Sequence, residues 1–196
     1  FFICILMKLR LIKMKSVKST NDIAIRLIKK NQFTPTLITS VIQRKGRGTM
    51  GKKWISQKGN LFISIFFEIN EKRINFKQFA ILNAYLIKKI ITKYASKKID
   101  IKWPNDLLIK KEKVCGILQE VIDYNNKKFL IIGVGINTNF SPIVKRFKST
   151  SLHNIGKKNI NNNQMLKDIK KVYENFINDI KKYTFLELKK KLVKSK

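Results

Sequence analysis

The feature that most constrains the fold of this chain is the run Leu61-Phe-Ile-Ser-Ile-Phe-Phe-Glu68, apolar at six of its eight positions. Strand side chains alternate between two faces, so a strand apolar on both is covered on both. This run is therefore a central strand, and the rest of the chain must supply its neighbours and its covers.

Leu9 to Val17 reads as a first short strand with imperfect alternation, and the β-branched run Leu37 to Ile42 as a second. Between them Ser19 and Asp22 stand at capping-box spacing, and Ile23, Ala24, Leu27 and Ile28 form the stripe of a helix over about 20–30. Asn75 and Gln78 repeat the capping signal ahead of Phe79, Leu82, Leu86, Ile90 and Ile91, a helix to about Tyr94. Ile99 to Trp103 is a short strand halted by Pro104. Leu107 to Ile109 and Val114 to Ile122 read as hairpin strands around a basic turn over 110–113, and Phe129 to Val134 follows across an Asn125-Asn126 turn. The polar stretch 141–163 is a long loop or a broken helix, and 164–180 and 185–193 are helical. Strands cluster in the middle with helices before, within and after them. That pattern favours an α+β layer architecture built on a mixed, mostly antiparallel sheet. At 196 residues a single domain over 1–196 is the default.

Lys and Arg number 43 against 12 acidic residues, a formal charge of +31 that taken alone points to nucleic acid or an anionic membrane. Only six of the basic residues are arginine, and the lysines are interleaved with Ile and Asn, which reads as a compositional preference filling solvated faces. Anionic ligands and acidic protein surfaces are attracted at low salt on either reading. Cys4 and Cys115 make a poor disulfide framework, and the single His153 leaves nothing for a histidine-based metal site. No protein-built metal site is expected. The apolar opening Phe1 to Met7 is too short to span a bilayer and lacks the basic start of a signal peptide, so Met7 is taken as the biological start and cytoplasm as the location.

Three segments carry candidate chemistry. Gln43 to Lys53 interrupts the apolar pattern with three glycines and the cations Arg44, Lys45, Arg47, Lys52 and Lys53, with no acid. Freed backbone amides and arginine forks make an anion clamp, or the loop is a solvated basic turn. It has neither the G-K-[ST] ending of a P-loop nor a G-x-G-x-x-G. In Lys102-Trp-Pro-Asn-Asp106, packing and turn chemistry account for Trp103 and Pro104. Strand alternation puts Lys102 and Trp103 on opposite faces, and a lysine on a rigid strand end suits a carboxylate or phosphate. Gly133-Val-Gly-Ile-Asn-Thr-Asn139 ends a strand with two glycines that admit close approach to the backbone.

These stretches, with Ser19-Thr-Asn21, Gly51-Lys-Lys-Trp54, Gly59-Asn-Leu61 and Gly116-Ile-Leu-Gln-Glu120, resemble the catalytic domain of the biotin–protein ligases from about Leu9 to Phe140. The fold so implied is the one shared with class II aminoacyl-tRNA synthetases. The activity implied is ATP-dependent formation of biotinyl-5′-AMP, with Mg²⁺ accompanying ATP, then transfer of biotin to a lysine of a biotin carboxyl carrier protein. That carrier would be an acetyl-CoA carboxylase subunit or a related carboxylase. By resemblance, Ser19, Thr20, Asn21, Gln43, Gly46, Arg47, Gly48, Lys102 and Gly116 bind biotin, with Lys102 and Arg47 catalytic. Trp54, Asn105, Asp106, Gly135 and Asn137 are nucleotide positions.

The chain departs from the family at Thr49, where a second arginine is usual, and at Lys18, where an acid is common before Ser19. An N-terminal helix-turn-helix domain and a C-terminal small β-barrel domain are both expected to be absent, so neither DNA nor membrane is an expected partner. No edge strand is identified that would favour a sheet-extended dimer, and a homodimer is left open. The rival readings are a ligase for lipoate or another carboxylic acid, and a basic nucleic-acid-binding module. Against the latter, the aromatics sit inside apolar runs such as Phe62 to Phe67 and do not interleave with the basic loop.

Overall fold

The computed structural model describes residues 7–143 and 147–194. The apolar opening Phe1 to Leu6, Cys4 and Arg146 lie outside the described residues. In chain order the elements are β1 (Arg10–Val17), α1 (Thr20–Lys29), β2 (Thr36–Gln43), β3 (Leu61–Glu68), α2 (Phe76–Thr92), β4 (Asp100–Lys102), β5 (Asp106–Ile109), β6 (Glu112–Tyr124), β7 (Lys127–Ile136), α3 (Leu152–Gly156), α4 (Asn162–Asp179) and α5 (Phe185–Lys194). The described strands form one sheet in the order β1-β2-β3-β7-β6-β5-β4. Only β1 and β2 run parallel, joined by the α1 crossover, and every other pair is antiparallel. The expected α+β class with a mixed, mostly antiparallel sheet is what forms.

The strand expected at Leu61 to Glu68 is β3, third in the sheet and buried from Leu61 to Phe67. The capping box of α2 is complete: Asn75 accepts from the Gln78 backbone N–H, and the Gln78 side chain accepts from the Asn75 N–H. The Asn125-Asn126 turn is present, both residues having positive φ as a tight hairpin requires. The basic turn expected over 110–113 shrinks to Lys110 and Lys111, which take positive φ, so that Glu112 and Lys113 already belong to β6. The stretch 141–163 holds the short helix α3, capped by Ser151, and α4 begins at Asn162 behind the Asn161 cap.

Three expectations are corrected. Ser19 precedes α1 but makes no side-chain cap, and the carboxylate of Asp22, its expected partner, pairs with Arg47. Trp103 is not packed inward: it is 48% exposed and rests edge-on against Tyr85, while Lys102 is exposed as well. The sheet does have a long edge strand, β1, whose charged Arg10, Lys13 and Lys15 discourage indiscriminate pairing.

The two faces of the sheet differ. On one, Ile63, Ile65 and Phe67 of β3 and Leu130, Ile132, Val134 and Ile136 of β7 pack beneath α2 and α4 in the main core. Phe67, Phe79 and Phe176 meet edge to face there, with centroids 6.3–6.5 Å apart. Burying side chains of this size contributes about 1.5–3 kcal/mol each. On the other face, Phe66, Phe129 and Ile131 pack under Ala24 and Ile28 of α1. Farther along that face the side chains of β7 stop at two glycines: Gly133 pairs with Ser64 and Leu118, and Gly135 pairs with Phe62 and Gly116. α1 ends its cover where the glycines begin. The depression so left is the candidate site.

Candidate active site

The cavity is lined by Ser19, Thr20 and Asn21 at the start of α1, by Gln43 and the loop after it, and by the glycine face of β6 and β7. Residues far apart in sequence meet because α1, β2 and the β6–β7 ladder end at the same edge of the depression. Gln43 receives the Thr20 backbone N–H at 2.8 Å and the Thr20 hydroxyl at 3.0 Å, and donates to Ser56 at 3.1 Å. Ser64 lies 2.7 Å from the Thr20 hydroxyl and also bonds Asn21. Ser19, Thr20 and Asn21 are all buried, and this network orients Thr20 and Asn21.

Gln43 to Trp54 folds back as a small hairpin over the sheet. Gly48 N–H donates to Lys52 O at 2.7 Å, Trp54 N–H donates to Gly46 O at 2.9 Å, and Arg47 bridges to Lys53. Gly46 is required by close approach, since a Cβ there would lie 2.5 Å from the Trp54 carbonyl. The indole of Trp54 lies on the glycine face: a Cβ at Gly116 or Gly135 would meet it at 2.6 and 2.3 Å. The glycines therefore make a flat floor for an aromatic ring, which no larger residue permits. Asn21 occupies the same kind of place over Gly133.

The two cations expected to act both differ from expectation. Lys102 is exposed at the end of β4 and is not among the lining residues. Lys113, on β6, lines the cavity instead. Its ammonium is 2.7 Å from Asp106 and lies over the rings of Trp54 and Phe147, at 5.4 and 5.2 Å from their centroids. Arg47 lines the cavity, but its guanidinium is engaged by two carboxylates, Asp22 at 3.0 Å and Glu120 at 2.8 and 2.9 Å.

Of the other positions given by the resemblance, Gly48, Trp54, Asn105, Gly116 and Gly135 line the cavity. Asn105 faces Thr49 at 3.4 Å, so a neutral pair joins the loop tip to the turn before β5. Asp106 is the partner of Lys113. Asn137 is 1% exposed and lies outside the lining, where its amide donates to Thr150 O at 3.1 Å and braces the segment leading to α3. The thiol of Cys115 is fully buried and pushed upward by that burial, so it is not a nucleophile. Sequence reasoning missed Lys113, Asp22 and the partner role of Glu120. Lys113 was hidden in a run of basic residues, and its signal was its place three residues before Gly116 on a strand paired with Asp106.

Residues 14–137 match the model of the biotin/lipoate A/B protein ligase family. The chain belongs to that family. It is 31% identical to the biotin protein ligase of Aquifex aeolicus solved in complex with biotin and ATP, with a TM-score of 0.76 over 93% of this chain and 76% of that one. It is 35% identical over 128 residues to the bifunctional ligase/repressor BirA of Bacillus subtilis, and 32% identical over 97 residues to BirA of Escherichia coli. Those matches take in 64% and 48% of this chain, and 39% and 30% of the BirA proteins. Within the family its similarity is thus to the catalytic domain of the biotin–protein ligases. The chain spans about two fifths of the length of the Bacillus protein it matches.

Proposed function

We propose that this chain activates biotin with ATP and passes it to a lysine of a biotin carboxyl carrier protein. The observation that carries the reading is the convergence, around one cavity, of buried polar donors, a glycine floor and a lysine ammonium. The buried donors suit an uncharged polar head group, the glycine floor seats the Trp54 indole as an aromatic wall of the cavity, and the ammonium suits an anionic centre. The relative from Aquifex aeolicus, which holds biotin and ATP, supports the choice of ligand.

In this scheme Ser19, Thr20, Asn21 and Gln43 hold the ring of biotin, and Thr20, Asn21 and Gln43 are pre-oriented by their own hydrogen bonds. Its carboxylate attacks the α-phosphorus of ATP, the bond to pyrophosphate breaks, and a mixed anhydride forms. The barrier is mainly the approach of one anion to another, so a fixed cation supplies most of what is needed. Lys113 takes this role in place of Lys102, since it lines the cavity and is held by Asp106. Lys52 and Lys53, also in the lining, add positive potential for the departing pyrophosphate. The carrier's lysine amine then attacks the acyl carbon and AMP leaves. No protein nucleophile is needed, and the folded loop keeps water from the anhydride between the two steps.

No group of three metal-ligating side chains occurs among the described residues, and the carboxylates nearest the cavity are tied to Lys113 and Arg47. Mg²⁺ is therefore assigned to ATP, entering on its phosphates. Among the described residues no helix is long and apolar enough to cross a membrane. The test is to incubate the protein with ATP and biotin, lipoate or octanoate and to detect the acyl-adenylate by mass. Biotinyl-AMP alone is the expected product, lipoyl- or octanoyl-AMP in its place would change the substrate, and no adenylate at all would remove the reading.

A further inference from the structure

Gly59 and Asn60 stand just before β3, outside the lining of the cavity, and the chemistry of the site gives them no direct part. Asn60 is nonetheless only 5% exposed, and a buried amide needs partners for its donor and its acceptor. Its Oδ1 accepts the backbone N–H groups of Asn139 and Phe140 at 3.0 and 2.9 Å, and its Nδ2 donates to the Phe140 carbonyl at 2.8 Å. The side chain pairs with Phe140 as a neighbouring strand would. It does so where the backbone ladder stops, since Leu61 and Ile136 are the last pair of β3 and β7.

The Gly59 carbonyl serves the same place. It accepts from the Thr138 hydroxyl at 3.1 Å, the Asn139 amide at 3.0 Å and the Asn162 amide at 2.7 Å. Gly59 takes φ +98°, and a Cβ on it would lie 2.4 Å from the Phe140 ring, so the backbone and the seat of that ring both require glycine. What is held here is the first stem of the segment that leaves β7. The second stem returns beside Lys113: the Lys113 N–H donates to Lys148 O, and the Thr150 N–H donates to Lys113 O, each at 3.0 Å. The Ser149 hydroxyl, bonded to the Pro142 carbonyl, ties the two stems together. The main chain at Lys113 is therefore held by β5 on one side and by this stem on the other, and the stem also sets Phe147 against the Lys113 ammonium.

We infer that Asn60 is a positioning residue for the reaction in the cavity: by fixing Phe140 it fixes, through Pro142 and Ser149, the main chain at Lys113, and so the place of the ammonium. This rests on the functional reading for what Lys113 does. Asn60 itself touches no reacting atom. The groups assigned to the biotin ring are held by other bonds, from Thr20 to Gln43, from Gln43 to Ser56 and from Ser64 to Thr20. The two ends of the cavity should therefore respond differently when Asn60 is changed.

The experiment compares the parent with Asn60→Asp and Ser149→Ala. Aspartate keeps the shape and the acceptor of asparagine but sets an oxygen against the Phe140 carbonyl in place of the donor. Ser149→Ala cuts only the tie between the stems, and it decides alone if Asn60→Asp does not fold. In hydrogen exchange on the ligand-free protein, the amides of Lys113 and Thr150 are expected to exchange about tenfold faster in Asn60→Asp and about threefold faster in Ser149→Ala, while the Thr20 amide keeps the parent rate. In single turnover with saturating biotin and ATP, adenylate formation should fall by the same factors of about ten and about three, with biotin Kd by calorimetry within about twofold of the parent. Parent-like exchange at Lys113 and Thr150 would overturn the brace, and faster exchange with a parent-like rate would overturn its part in the reaction. A biotin Kd that weakens in step with the rate, with faster exchange at Thr20, would mean general loosening and would also overturn it. The exchange comparison needs no ligand, so it decides whether Asn60 holds Lys113 even if the parent forms no adenylate, a result that would remove the functional reading.

Discussion

The two faces of this sheet are made by the same strands, yet one is filled and the other is half emptied. Along β7 the even residues Leu130, Ile132, Val134 and Ile136 all enter the main core. The odd residues run Phe129, Ile131, Gly133, Gly135, large under α1 and absent beyond it. β6 reaches Gly116 beside Gly135, and β3 narrows to Ser64 beside Gly133, while Leu118 and Phe62 stand on the same face at the margins of the hollow. The filled face supplies the stability that lets the other face give up side chains, since a sheet with one good core tolerates a hollow opposite it. If so, changes on the filled face should act on folding, and changes on the hollow face should act on ligand and rate.

The largest effect expected is on the filled face. Phe67 is 1% exposed and touches Phe79 and Phe176 edge to face. Phe67→Ala should lower unfolding free energy by about 3–5 kcal/mol, the usual range for an aromatic core truncation. Urea denaturation followed by circular dichroism measures it. A loss under about 1 kcal/mol would mean that the core collapses around the gap and that this face is not the scaffold.

On the hollow face the largest effect belongs to Lys113. Lys113→Ala should slow adenylate formation by ~100-fold in single turnover, equivalent to about 2.7 kcal/mol of lost transition-state stabilisation, with little change in unfolding midpoint. A parent-like rate would remove Lys113 from the chemistry and reopen the question of which cation meets the phosphate. Gly133→Ala should come next. Its new Cβ would lie 2.4 Å from the Asn21 side chain, which must then leave its place and its bond to Glu120. Biotin Kd by calorimetry is expected to rise about tenfold, close to 1.4 kcal/mol. If binding is unchanged, Asn21 has room to shift and the floor at Gly133 is not a tight fit.

The same division explains what was readable beforehand. Features decided within a few residues were legible: the apolar run of β3, the Asn75–Gln78 capping box, and the Asn125-Asn126 turn all depend on local periodicity or on local side-chain bonds. The loop after β2 and the glycines of β7 stand out as breaks in the apolar pattern, but that pattern also fits a solvated basic turn, and it is the resemblance to the biotin–protein ligases that joins them into one site. What failed was pairing across the fold. Ser19 and Asp22 have capping-box spacing, but Arg47 from the loop takes the aspartate, and that competition is invisible until the loop lies over α1. Trp54 reads as one aromatic after a basic loop, and only the Gly116–Gly135 register gives it a floor.

The smallest effect is the most informative about that failure. Lys102 and Lys113 are both lysines near Asp106, and sequence alone favours Lys102 because it precedes a rigid turn. The register of β4 on β5 sets Lys102 opposite Asp106, but the carboxylate is taken by Lys113 at 2.7 Å. The irregular pairing at Leu107 and Leu108 sets Gly116, and not Cys115, opposite Asp106, and Lys113, opposite Leu108, reaches diagonally across the glycine to the Asp106 carboxylate. Lys102 stays exposed, where its charge is screened over about 8 Å at physiological salt. Lys102→Ala should therefore lower adenylate formation less than about twofold at physiological salt, with a slightly larger loss at low salt from weakened long-range attraction of ATP. A loss approaching that of Lys113→Ala would show that β4 and the turn after it move onto the ligand, so that the hollow face is completed by an edge strand and not by β6 alone.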